Sequence, residues 1–139
     1  MKYAKCLVMV FAALAGTVLV ANLSVDAQSV QLKVNVPFEF HVGEKALPAG
    51  IYIVQPRGDA LLISNKNGDF AQILSNPVSN KAYNLNNMVV FHRYGDRRFL
   101  SEVRWSDYRT ARGVLMSASE RKIASLTPAE TVQLAANVR

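Results

Sequence analysis

From Val30 onward apolar and polar residues alternate: Val30, Leu32, Val34 and Val36 against Gln31, Lys33 and Asn35, then Phe38, Phe40 and Val42 against Glu39 and His41. A period of two puts successive side chains on opposite faces of an extended chain, so this segment builds half-buried strands. Pro37 has no N–H to give a ladder and predicts a bend between two short strands. Five more β-rich runs follow, "IYIVQ", "ALLIS", "FAQILS", "MVVFHRY" and "RRFLSEVRW". Turn chemistry separates them: "GEK", then "LPAG" with Pro48 and Gly50, and Asn67-Gly68, a strong hairpin signal. Arg57-Gly58-Asp59 spells a cell-adhesion tripeptide but reads as a turn between two strands. Asn76 to Asn87, rich in asparagine, reads as a long polar loop.

The N-terminal residues are an address. Lys2 and Lys5 precede the apolar run Cys6–Ala21, and Val25 and Ala27 occupy the minus-three and minus-one positions of a signal-peptidase site. The run is shorter than the roughly 18 residues of a spanning segment, so cleavage between Ala27 and Gln28 is expected, with a retained anchor as the alternative. Cleavage would leave no membrane span and remove Cys6, the only cysteine, which excludes a disulfide scaffold and any thiolate metal site. The chain carries a net charge of +6. A basic exported domain, periplasmic or extracellular, meets anionic partners by default.

Gly95-Asp96 joins "MVVFHRY" to "RRFLSEVRW", and a two-residue loop would set Tyr94 opposite Arg97, Arg93 opposite Arg98, His92 opposite Phe99 and Phe91 opposite Leu100. Strict alternation then gives a core face of Met88, Val90, His92, Tyr94, Phe99, Ser101, Val103 and Trp105. The other face carries Val89, Phe91, Arg93, Arg98, Leu100, Glu102 and Arg104. A three-residue loop would shift the register by one. Beyond Trp105 the period of two is lost. "SASERKIASL" predicts a short helix over about Ser117 to Leu126, capped by a serine ahead of Glu120, and Thr127-Pro128 with Glu130 predicts a last helix from Pro128 to about Asn137.

The expectation is a mainly β protein: a small antiparallel sandwich or partly closed barrel of six or seven strands with one or two short C-terminal helices. It divides into a signal peptide over 1–27, a β domain over 28–116 and a C-terminal helical segment over 117–139. "VPFEFHVG", "LPAGIY" and above all "FHRYGDRRFLSEV" resemble an uncharacterised family of small exported bacterial proteins sharing V-P-F-x-F, L-P-A-G-x-Y and F-H-R-Y-G-D-x-x-F-L in this order. The resemblance covers Val36 to Trp105 and implies an exported single domain, with no activity and no catalytic residue to carry over.

No catalytic, metal or nucleotide motif stands out, and no cofactor is expected. His92 lacks an evident orienting carboxylate, because Asp96 lies in the turn and Glu102 on the opposite face. Ser101 shares its face but sits diagonally. His41 and His92 without a close third ligand make a weak metal constellation. Arg93, Arg98 and Arg104 share one face with a single carboxylate, Glu102, which marks them as candidate anion-binding residues through their guanidinium forks. His92 and Tyr94 are candidate ligand contacts. The function expected is that of an exported, non-enzymatic binding or envelope-associated protein with a basic hairpin face. Its partner would be an anionic glycan, an envelope surface or another exported protein, with nucleic acid disfavoured and the oligomeric state open. The alternative is a small hydrolase-type enzyme using His92.

Overall fold

A computed structural model describes residues 30–78, 86–106 and 110–139. The predicted signal peptide, with its cleavage point, and positions 79–85 of the polar loop lie outside the described residues. Among the described residues, eleven strands and one helix make a mainly β fold: β1 Leu32–Val36, β2 Phe40–Val42, β3 Lys45–Leu47, β4 Gly50–Arg57, β5 Ala60–Ser64, β6 Phe70–Val78, β7 Met88–Tyr94, β8 Arg97–Trp105, β9 Thr110–Val114, α1 Ala118–Ala124, β10 Glu130–Ala135 and β11 Asn137–Val138. They form one large open sheet in the order β10-β7-β8-β9-β6-β5-β4-β1-β11, with β2 and β3 alongside β8. The sheet is mixed, because β2 meets β8 in parallel at His41 and Phe99. It is neither a closed barrel nor limited to the six or seven strands expected.

Three of the hairpins turn on the same device, a glycine followed by an acid: Gly43-Glu44, Gly58-Asp59 and Gly95-Asp96, each glycine at φ near +60°. A positive φ at the first loop residue matches the twist of the flanking strands, and only glycine takes it without strain. At Gly95 this fixes the two-residue register, and Tyr94 does face Arg97, Arg93 faces Arg98, His92 faces Phe99 and Phe91 faces Leu100.

Directly beyond that last pair, alternation breaks. Phe91 pairs with Leu100 but Val90 with Glu102, which leaves Ser101 as the extra residue of a β-bulge. The bulge inverts the parity of β8, so the expected core face needs correction. The central core takes Val89 and Phe91 from β7 and Leu100, Val103 and Trp105 from β8, which strict alternation would have split between two faces. Phe91 meets Phe38 and Phe40 edge-on at 5.3 and 5.4 Å, and Phe40 meets Tyr52 at 5.1 Å, spacings favoured by ring quadrupoles. Trp105 is 4% exposed and donates its indole N–H to the Val30 carbonyl at 3.1 Å. The opposite face of the hairpin, with Val90, Tyr94 and Phe99 buried, is where His92 meets Glu120 of α1 and Phe99 stacks on His41.

The C-terminal segment also differs from expectation. The short helix forms, with Ser117 as its cap, but the second predicted helix is strand: Glu130–Ala135 pairs with β7 along its length. Val132 and Leu134, alternating with Thr131 and Gln133, have the period of a strand, while Val132, Ala135 and Ala136 make only a thin helical stripe, and the open edge of β7 decides between them. The C-terminal segment over 117–139 is therefore one helix followed by two strands. Strands β3 and β9 fall in segments that sequence reasoning left as turn and polar connection.

Candidate functional site

Three places on the surface bear on function. The first is the helix-covered face of the β7–β8 hairpin. His92 stands on β7, and the bulge residue Ser101 lies within 3.1 Å, Oγ to His92 Nε2. On the far side of the ring, His92 Nδ1 is 3.2 Å from Glu120 Oε1. The Tyr94 hydroxyl donates to the same oxygen at 3.0 Å. Glu120 is 4% exposed, so its carboxylate is held in place by donors and not by water. An acceptor on one side and a hydroxyl on the other put the imidazole proton on Nδ1, leaving Nε2 free to accept from Ser101. The result is a relay of hydroxyl, imidazole and carboxylate, with a phenol bracing the acid.

The local sequence explains how Glu120 is free for this. In a capping box, the glutamate at the third helical position turns back to its own cap residue. Here only half the box forms: the Glu120 amide donates to Ser117 Oγ, while its side chain turns to the sheet. Glu44, in the β2–β3 turn, takes over at the helix start by accepting from the amide and hydroxyl of Ser119. Those hydrogen bonds, the hydroxyl's first, hold the Glu44 carboxyl below its ordinary value. Tyr94 is pushed up to about 12, by burial first and then by its hydrogen bond and proximity to the Glu120 charge. The sequence signalled Glu120 only as a capping acid; its long-range partners carried no local mark.

The second place is the arginine set, which the structure disperses. Arg93 and Arg98 are cross-strand neighbours, but β10 brings Glu130 opposite Arg93. Arg93 Nη1 lies 3.7 Å from Glu130 Oε2, and Arg93 Nε donates to the Gly95 carbonyl at 2.9 Å. Arg98 lies over the Phe38 ring at 4.5 Å. The bulge puts Arg104 on the other face, where it pairs with Glu102 at 2.6 Å. The grouping of three arginines on one face therefore fails, through a one-residue change of parity and a strand read as a helix.

The third place was not anticipated. The outward face of β1, β4 and β5 forms a groove of about 480 Å³. Its floor holds Lys33, Ile51 and Ile53, all at positions that alternate away from the buried Val34, Tyr52 and Val54. Asn65, Lys66 and Asn67 line it on the β5 side, and Gln31 and Arg139 on the β11 side. Gln31 donates to Gln55 at 2.7 Å across the strands, and the Arg139 amide donates to the Gln31 carbonyl at 3.0 Å. Among the described residues no carboxylate side chain lines the groove. The five-residue loop that raises its wall is locked by Asn65, whose Oδ1 accepts from the amides of Asn67 and Asp69.

Among the described residues no group of three metal-ligating side chains comes together, and no helix is long and apolar enough to cross a membrane. No family model, curated protein or solved structure matches this chain.

Proposed function

We propose that this is an exported binding protein that holds an anionic, hydroxyl-rich partner, an acidic glycan above all, in the groove on the outer face of β1, β4 and β5. The single observation that carries this is the groove's lining, in which Lys33, Lys66 and Arg139 stand among side-chain amides with no Asp or Glu side chain among the described residues. Primary and guanidinium cations attract sulfate or carboxylate groups, while Gln31, Gln55, Asn65 and Asn67 offer both donors and acceptors to sugar hydroxyls. Ile51, 52% exposed, gives the floor an apolar patch for the C–H face of a ring. The hairpin arginines serve this role less well, because Arg93 and Arg104 already face carboxylates and Arg98 lies on a ring. Export rests on the n-region, the apolar run and the cleavage pattern before Gln28.

The test sets the two basic surfaces against each other on immobilised heparin at fixed pH and salt. Replacing Lys33 and Lys66 by serine should weaken binding about tenfold, from about 0.7 kcal/mol for each exposed charged contact. Replacing Arg93 and Arg98 by serine should change it by less than about twofold, since those cations are already engaged. Equal losses for the two double variants would reduce the groove to ordinary surface charge.

A further inference from the structure

The geometry points to a second, independent activity: Ser101 is a nucleophile for acyl transfer, with His92 as its general base and Glu120 as the residue that positions the base. Three observations carry it. The connectivity is that of an activated serine, with Oγ on Nε2 at 3.1 Å and the carboxylate on Nδ1 at 3.2 Å. Ser101 is the extra residue of the bulge, and bulges re-aim a side chain beside functional sites. The gradient of burial also runs the right way: Glu120 is buried, while the His92 side chain is 29% exposed and Ser101 half-buried. The reacting end is open to solvent and the orienting end is shut off from it. A network built only to fasten α1 to the sheet would need His92 and Tyr94 on Glu120, but not a hydroxyl on the remaining imidazole nitrogen.

The substrate class is an ester with a good leaving group. As the Ser101 proton passes to His92 Nε2, Oγ bonds to the acyl carbon. The C–O bond to the leaving group then breaks, and the departing alcohol or phenol takes the proton from Nε2. Water, giving a proton to the same nitrogen, attacks the acyl carbon; the bond to Oγ then breaks, Oγ takes that proton back from Nε2, and the acid leaves with Ser101 restored. Aryl esters are favoured because a stable leaving group demands the least charge stabilisation from the surrounding backbone.

The experiment is covalent labelling of the purified chain with an alkyl fluorophosphonate, mapped by peptide mass analysis. Attack by Oγ forms a P–O bond and expels fluoride, so the expected result is an adduct on the peptide containing Ser101. Ser101→Ala should abolish it, and His92→Gln should slow it about 10²-fold or more, as loss of a general base does. Glu120→Gln should slow it and change its pH profile, and Glu120→Asp should recover part of the rate. A wild-type chain that stays unlabelled at Ser101 would overturn the proposal whatever the variants do. So would a folded His92→Gln chain that labels at the wild-type rate.

Discussion

Deleting Ser101 asks whether it is the extra residue of β8. In a regular strand the loss of one residue turns every later side chain to the other face. Val103 and Trp105, now 0% and 4% exposed, would then point outward. Losing burial of a valine costs about 1.5–3 kcal/mol and losing a packed tryptophan about 3–5 kcal/mol. Together these come to about 4.5–8 kcal/mol, against the roughly 5–15 kcal/mol that a domain of this size has in all. A bulge residue is different: without Ser101, Leu100 still faces Phe91, Glu102 still faces Val90 and Val103 still faces Val89, so the observed pairing persists with strict alternation. The deletion should therefore cost only about 1 kcal/mol, for the lost hydrogen bond to His92. Trp105 is the only tryptophan, which makes the assay direct: urea unfolding followed by indole emission and far-ultraviolet circular dichroism. The deletion should keep buried-indole emission and a cooperative transition, with a midpoint close to that of Ser101→Ala. A deletion variant with the emission of a solvated indole, or with no transition, would refute the reading of Ser101 as the extra residue.

Alkaline stability should report on Tyr94. Its pKa rises from 10.0 to about 12, so the folded chain holds this proton more tightly than the unfolded one. The associated stability is complete below pH about 10 and is lost as pH climbs through about 12. Tyr94→Phe should flatten that decline in urea midpoints, with Tyr52, also raised by burial, accounting for the remainder; an unchanged slope would discard the linkage. Expression of the full chain with a functioning export system should give a product beginning at Gln28, read by intact mass, whereas a membrane-held product retaining Met1 would make the N-terminal run an anchor.

The parts of this fold that were legible in sequence are those fixed over a few residues. Gly95-Asp96 determines a loop length, and loop length determines the pairing from Tyr94 to Phe91. The bulge left no comparable mark, since Val89, Val90 and Phe91 are all apolar and suit either parity. They are so because both faces of β7 are covered, by the aromatic core and by the layer over Tyr94 and Phe99. The last helix was misread because a capping box is a local signal, while the pairing of Glu130–Ala135 with β7 is a distant one. The same limit hid the candidate site. His92, Ser101 and Tyr94 were recognisable as sharing a face, but the carboxylate that completes them arrives from α1, separated from β7 by two further elements of chain. The groove was invisible for another reason: it is made of ordinary outward positions that only sheet curvature and the Asn65 loop gather together.

The two ends of the strand order, β10 and β11, are neighbours in the chain, divided only by Ala136, whose N–H is donated to the Asn87 carbonyl. One short segment thus finishes both flanks: Leu32 and Lys33 wait for Val138 and Asn137, and β7 waits for residues 130–135. Pairings this remote in sequence are slow to form, because the entropy of closing the intervening loop must be met first. A chain made from its N-terminus is therefore left with two bare strand edges until residues 130–138 are in place. Such edges invite intermolecular pairing. That order makes residues 130–138 the clasp on which escape from intermolecular pairing depends.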